Sequence, residues 1–220
     1  MSARALMVVL LLGCAEGEAP AAASAPLEGS LADGLGVPAS APSDARALLF
    51  AGLRERRGAA ALFGAREGTH PWETRVRPRR GEAAADARAR GGTFVRRRLG
   101  EAPSALELAF RLGAGDRGAH MGGVVGTGAE RAMAELRVSD PLALQARFAL
   151  RLFATNARGR LEDVTPSYLR RPTGRGVVRA WLDVPPPGGR ALFHVDVLRR
   201  GERIAEGYTS PIAVERPWLR

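Results

Sequence analysis

Hydrophobic and polar residues alternate along most of the second half of the chain. Over residues 104–112, Leu106, Leu108, Phe110 and Leu112 share one side. Over 131–138, Ala132, Ala134, Leu136 and Val138 oppose Met133, Glu135 and Arg137. The longest run is 144–154, where Leu144, Ala146, Phe148, Leu150, Leu152 and Ala154 oppose Gln145, Arg147 and Arg151. Residues 177–184 set Val178, Ala180, Leu182 and Val184 against Arg179 and Asp183. Residues 190–198 set Ala191, Phe193, Val195 and Val197 against His194 and Asp196. Successive side chains of an extended strand point to opposite faces, so a period of two with one polar face predicts half-buried antiparallel strands. Further strands are expected near 202–209 and 211–215, and shorter ones near 73–78 and 93–98.

Clusters of Gly, Pro, Asn and Asp separate these runs, at 113–128, 140–141, 156–159, 172–176, 185–189 and 200–201. Short strands punctuated in this way predict an all-β, antiparallel β-sandwich over residues 104–220. The stretch 148–159 resembles the late strand and turn of immunoglobulin-like and fibronectin type III domains, which implies the same two-sheet architecture. Residues 46–103 are less regular. A short helix is expected over 45–63, capped by Asp44, with Leu48, Leu49, Leu53, Leu62 and Phe63 as its apolar stripe and Gly52 and Gly58 interrupting it. An Arg-rich segment follows.

The N-terminus has another character. Arg4 precedes an apolar run over 5–12, and Leu12-Gly13-Cys14 closes it. That run is too short for a hydrocarbon core of ~30 Å and suits a signal-peptide hydrophobic region. The arrangement resembles a bacterial lipoprotein signal over 1–13, with Leu12 where Ala, Ser or Thr is commoner. The resemblance implies that Cys14 is the acylated first residue of the mature chain. Ala15 at the next position resembles the outer-membrane class, facing the periplasm or the cell surface. One acyl chain holds a protein marginally and two or more hold it stably. Residues 14–45 are rich in Ala, Pro and Ser, and residues 15–45 carry five acids and no Arg. They cannot bury enough apolar surface to offset ordering and read as a disordered tether with a root-mean-square span of roughly 30 Å.

Composition changes the reading of charge. The chain has 220 residues, a formal charge of +10 and 33 basic residues, every one of them Arg. There is no Lys, and Asn156 and Gln145 are the only side-chain amides. Such a bias fits a GC-rich coding sequence, so the charge is a weak sign of nucleic-acid binding, and an exported protein rarely meets nucleic acid. No nucleic-acid partner is expected. Lipid headgroups, anionic glycans and envelope proteins are the anions in reach. With Cys14 acylated no thiol remains for a disulfide, a metal or a nucleophile.

Candidate chemistry is sparse. His194 and Asp196 share one strand face, which makes them a candidate acid–base or metal pair. No H-x-x-x-H or H-E-x-x-H spacing accompanies them, so a solvated polar face is the plainer expectation, with no metal and no cofactor. Ser104, Ser139, Ser167 and Ser210 lie at strand ends or beside Pro, and no G-x-S-x-G occurs. The glycine-rich stretch 122–128 lacks the Lys of a phosphate loop. Glu162-Asp163 reads as a turn. The candidate anion-binding residues are Arg75, Arg77, Arg79, Arg80, Arg96, Arg97 and Arg98, since guanidinium groups pair with phosphate and carboxylate in bidentate fashion. Trp181 falls on the side opposite the core and is a candidate binding residue. The expectation is a membrane-anchored envelope lipoprotein serving as a non-catalytic structural or protein- or glycan-interaction module, not an enzyme. The alternative is an envelope hydrolase or accessory subunit with its site around His194 and Asp196.

Overall fold

The computed structural model describes residues 25–26 and 72–215. The expected signal, Cys14, nearly all of the tether, the helix expected over 45–63, His70 and Trp218 lie outside the described residues. Within them, the alternating pattern gives a two-sheet antiparallel sandwich. The elements are β1 Ala25–Pro26, β2 Trp72–Val76, α1 Ala84–Ala89, β3 Thr93–Arg98, β4 Glu107–Ala114, β5 Arg117–His120, β6 Val124–Gly126 and β7 Arg131–Ser139. They continue with β8 Arg147–Thr155, β9 Leu161–Asp163, β10 Arg175–Asp183, β11 Arg190–Arg199, β12 Glu202–Thr209 and β13 Ile212–Glu215. No helix among them is long and apolar enough to cross a membrane.

The smaller sheet has the order β10-β7-β4-β5, and the larger runs β1-β2-β3-β12-β11-β13-β6, with β8 also on β11 and β9 on β8. Every pairing is antiparallel except β13 with β6. Ala25 and Pro26, from the expected tether, pair with Val76 and Arg75 at the edge of β2. The inward residues are those the alternation singled out. Leu108, Phe110 and Leu112 of β4, Leu136 and Val138 of β7, Phe148 and Leu152 of β8, and Phe193, Val195 and Val197 of β11 are buried in one core. Phe110 and Phe193 meet edge to face across the two sheets, with centroids 5.2 Å apart, a favoured geometry for aromatic rings. Gly207 of β12 sits under this seam. A Cβ there would stand 2.8 Å from Leu106 Cδ2 and from the Val95 carbonyl oxygen.

Four local departures from the expected pattern have physical causes. Leu144 was expected to face inward but is 67% exposed. Turn hydrogen bonds from Ala143 N to Asp140 O and from Ala146 N to Ala143 O delay the strand until Arg147. The expected turn region 113–128 contains β5 and β6, because long-range pairing with β13 recruits Val124–Gly126 into a parallel ladder. Gly122 there has φ +77°, and a Cβ would overlap the Gly91 carbonyl, so this glycine-rich stretch is a close-packed backbone crossing. The short β9 and α1 were not expected, being too brief to show a period.

Both faces of β11 are buried from Ala191 to Val197. The solvated face expected for His194 and Asp196 is therefore corrected: these side chains lie inside the protein. Alternation reports which side of a strand is polar, and only the tertiary arrangement decides whether that side meets water.

Candidate functional site

Two polar surfaces of the sandwich carry the chemistry, one on each sheet. The first lies on the larger sheet. Period two places His194 and Asp196 of β11 on one face, and the β11–β12 register sets Tyr208 opposite His194 and Glu206 opposite Asp196. The rings of His194 and Tyr208 meet at a tilt of 32°, with centroids 4.4 Å apart. His194 Nε2 lies 3.4 Å from Glu206 Oε2 and 3.6 Å from Asp196 Oδ1. His194, Asp196 and Glu206 are 6%, 9% and 4% exposed.

Two carboxylates directly opposite each other repel, so cations must compensate for them. Arg97, opposite Glu206 on β3, binds Glu206 Oε1. Arg203 Nη1 lies 3.4 Å from Asp196 Oδ1 and 3.3 Å from Glu206 Oε2. A register shift between Val197 and Leu198 sets Leu198 opposite Arg203. This bulge turns Arg203 onto the face that holds Asp196 and Glu206. Burial opposes ionisation of Glu206 and is the largest single influence on it. The hydrogen bond with His194 and the charges of Arg97 and Arg203 together outweigh burial and hold its carboxyl below the usual range. The ligand atoms of His194, Asp196 and Glu206 all lie within 4.8 Å of one another.

The second surface is the outer face of the smaller sheet, which is largely open. Its registers build rows across the strands. Arg179, Glu135, Arg111 and His120 form one row, and Trp181, Met133, Gly113 and Gly118 form the next. Arg179 Nε donates to Glu135 Oε2 at 2.8 Å and Arg137 Nε to Glu135 Oε1 at 3.3 Å. Burial works against ionisation of Glu135, yet these two arginines hold its carboxyl below the ordinary range. The Arg111 guanidinium lies over Gly118, where a Cβ would come within 3.2 Å of it. Trp181 is 52% exposed, with Arg131 5.8 Å from its ring centroid. The Trp181 amide donates to Tyr168 Oη at 3.2 Å. This blunts β10, an edge strand of the smaller sheet. At the opposite edge, partial enclosure of the His120 ring, followed by the charges of Arg79, Arg111, Arg90 and Arg137, lowers its pKa.

The seven arginines picked out in the sequence do not form one patch. Arg75 and Arg96 pair with Glu73, Arg77 with Glu107, and Arg97 with Glu206. These four hold the β2–β3 ladder and its surroundings together. Arg79, Arg80 and Arg98 are exposed. Of the four candidate serines, Ser139 is half-buried at the end of β7, and the other three have structural partners or lie at the surface. Ser104 Oγ donates to buried Asp140, which also accepts from the Ala105 and Leu142 amides. Ser210 shares a hydrogen bond with Thr93, and Ser167 is exposed. Asp163 accepts from Thr165 and Glu162 accepts from Asn156, as turn residues do. Sequence reading missed Glu206 and Arg203. The one available signal was the Arg200-Gly201 hairpin, whose positive φ values of 53° and 87° suit a two-residue loop and fold β12 back onto β11. No protein-family model, curated protein or solved structure matches this chain.

Proposed function

We propose that the chain is a lipid-anchored bacterial envelope lipoprotein whose sandwich is a non-catalytic module that docks an anionic glycan on the outer face of the smaller sheet. The observation that carries this reading is the adjacency of two rows. The Trp181–Met133–Gly113–Gly118 row offers an indole beside a floor of glycines. The Arg179–Glu135–Arg111–His120 row runs alongside it with guanidinium groups. A sugar ring is flat and partly apolar and suits an exposed indole, while its carboxylates or sulfates suit Arg. Tyr168 covers part of the β10 edge, which favours recognition by the face over addition of a partner strand.

The full-length protein in detergent should bind immobilised polygalacturonate and pass through neutral dextran. Binding should weaken as salt rises, because exposed charges separated by more than ~8 Å are screened at physiological ionic strength. Trp181→Ala and Arg111→Glu should each weaken it about tenfold or more. Equal retention on dextran, or binding indifferent to both substitutions, would sink the glycan reading. The anchor has its own check. Cys14→Ser should move the protein from the membrane to the soluble fraction, and unchanged retention counts against acylation.

A further inference from the structure

We propose that His194, Asp196 and Glu206 form a binding site for a divalent transition metal of the zinc class, with Arg203 as the internal cation that the metal displaces. The donor set is one imidazole nitrogen and two carboxylate oxygens, drawn from adjacent strands whose register fixes them. Nitrogen and oxygen donors together suit zinc and its neighbours, whereas calcium and magnesium take oxygen donors. The spacing fits as well. Tetrahedral bonds of about 2.0–2.2 Å place ligand atoms about 3.3–3.6 Å apart. His194 Nε2 stands 3.4 Å from Glu206 Oε2 and 3.6 Å from Asp196 Oδ1.

The surroundings resemble those of a built site. Arg97 holds the other oxygen of Glu206, and the Tyr208 ring lies tilted at 32° against the His194 ring. Second-layer contacts of this kind orient metal ligands. Arg203 is the odd member. Its Nη1 reaches the same two oxygens that face His194, at the long distances of 3.3 and 3.4 Å, and its side chain is 49% exposed while those of the two acids are 12% and 5% exposed. A half-exposed guanidinium on a bulged strand can swing into water at little cost. With Arg203 turned away from the two carboxylates, a water molecule would supply the fourth ligand of a three-residue site. The bulge between Val197 and Leu198 is what brings Arg203 there, so a charge that neutralises the acids without metal is built into the strand.

The site lies on the larger sheet and does not depend on the glycan-docking face of the smaller one. Titration of the full-length protein in detergent with zinc, followed by calorimetry, should give one equivalent. Cobalt should give the visible absorption of a four-coordinate ion. His194→Ala or Asp196→Asn should weaken either metal about 100-fold or more, and Arg97→Gln about 10–100-fold, as second-layer losses do. Arg203→Gln should tighten binding about tenfold by removing a competing charge, and this variant leaves all three ligands in place if the ligand variants fail to fold. Circular dichroism of each variant separates lost ligands from lost structure. Absence of zinc and cobalt binding in both the parent and the folded Arg203→Gln protein overturns the site. Binding that persists unchanged in a folded His194→Ala, Asp196→Asn double variant places the ion elsewhere and overturns it too. Affinity unchanged by Arg203→Gln overturns the displacement by metal.

Discussion

The outer faces of the two sheets invite comparison because the same alternation produced both. On the smaller sheet, Arg179, Glu135, Arg111 and His120 make a row of charge at the surface. On the larger, Arg97, Glu206, Asp196 and His194 make an equally polar group inside the protein. The surface row tolerates an uneven balance of charge, since water and salt screen it. The buried group cannot, so each acid there has a cation placed against it. Polarity along a strand therefore says little about cost or function until burial is known. The first face is open to solvent, and the second is closed from it and balances its own charges.

Breaking what the two faces share should have the largest effect. Phe193→Ala removes one ring of the inter-sheet pair and should destabilise the protein by about 3–5 kcal/mol in denaturant unfolding, lowering both proposed binding activities together. Arg97→Met should cost about 3 kcal/mol, because it leaves Glu206 buried with one cation fewer. A loss below 1 kcal/mol would mean that the buried group is looser than its geometry. Gly207→Ala follows, at about 1–3 kcal/mol from overpacking, since the Val95 carbonyl beside it belongs to a paired strand and cannot retreat.

The next test uses pH on the open face. The His120 pKa lies below its ordinary 6.5 in the folded protein, so the unfolded chain takes up this proton first as pH falls. The stability associated with His120 is complete above about 6.5 and declines as pH falls toward the lowered folded value. Thermal melts of His120→Asn should decline less across that window than those of the parent, and parallel curves would exclude the effect. The smallest expected change is Arg179→Ala. Its ion pair with Glu135 is mostly at the surface, and exposed pairs contribute about 0–1 kcal/mol. The contrast between Arg97→Met and Arg179→Ala is thus the sharpest measure of the difference between the faces.

Much of the architecture was legible beforehand. Strands β4, β7, β8, β10 and β11 fall close to the alternating runs, because a strand with one apolar face needs its apolar residues at every second position, and β12 and β13 fall where further strands were expected. The misses were short or non-local. The parallel pairing of β6 with β13 joins Val124 to Ala213, and no local pattern encodes that distance. Leu144 fits the alternation yet is exposed, because hydrogen bonding around Asp140 holds the chain there in a turn. Trp181 was legible as an outward residue and is one. The arginines of 75–98 were legible as a cluster, but their pairing with Glu73, Glu107 and Glu206 became apparent only when β2, β3, β4 and β12 were brought together.

By itself the sequence determined the fold class, most of the inward apolar side chains and the outward placement of Trp181, because each of these follows from a period along one strand. The proposed acylation of Cys14 likewise rests on a local motif in the sequence. The tertiary structure alone decided which polar residues meet. Glu206 faces Asp196 and His194 because a hairpin fixes the register of β12 on β11, and Arg203 joins them because of one bulge. Register, bulge and burial are relations between strands, and hydrogen-bonded pairing sets them at separations that a one-dimensional pattern does not record.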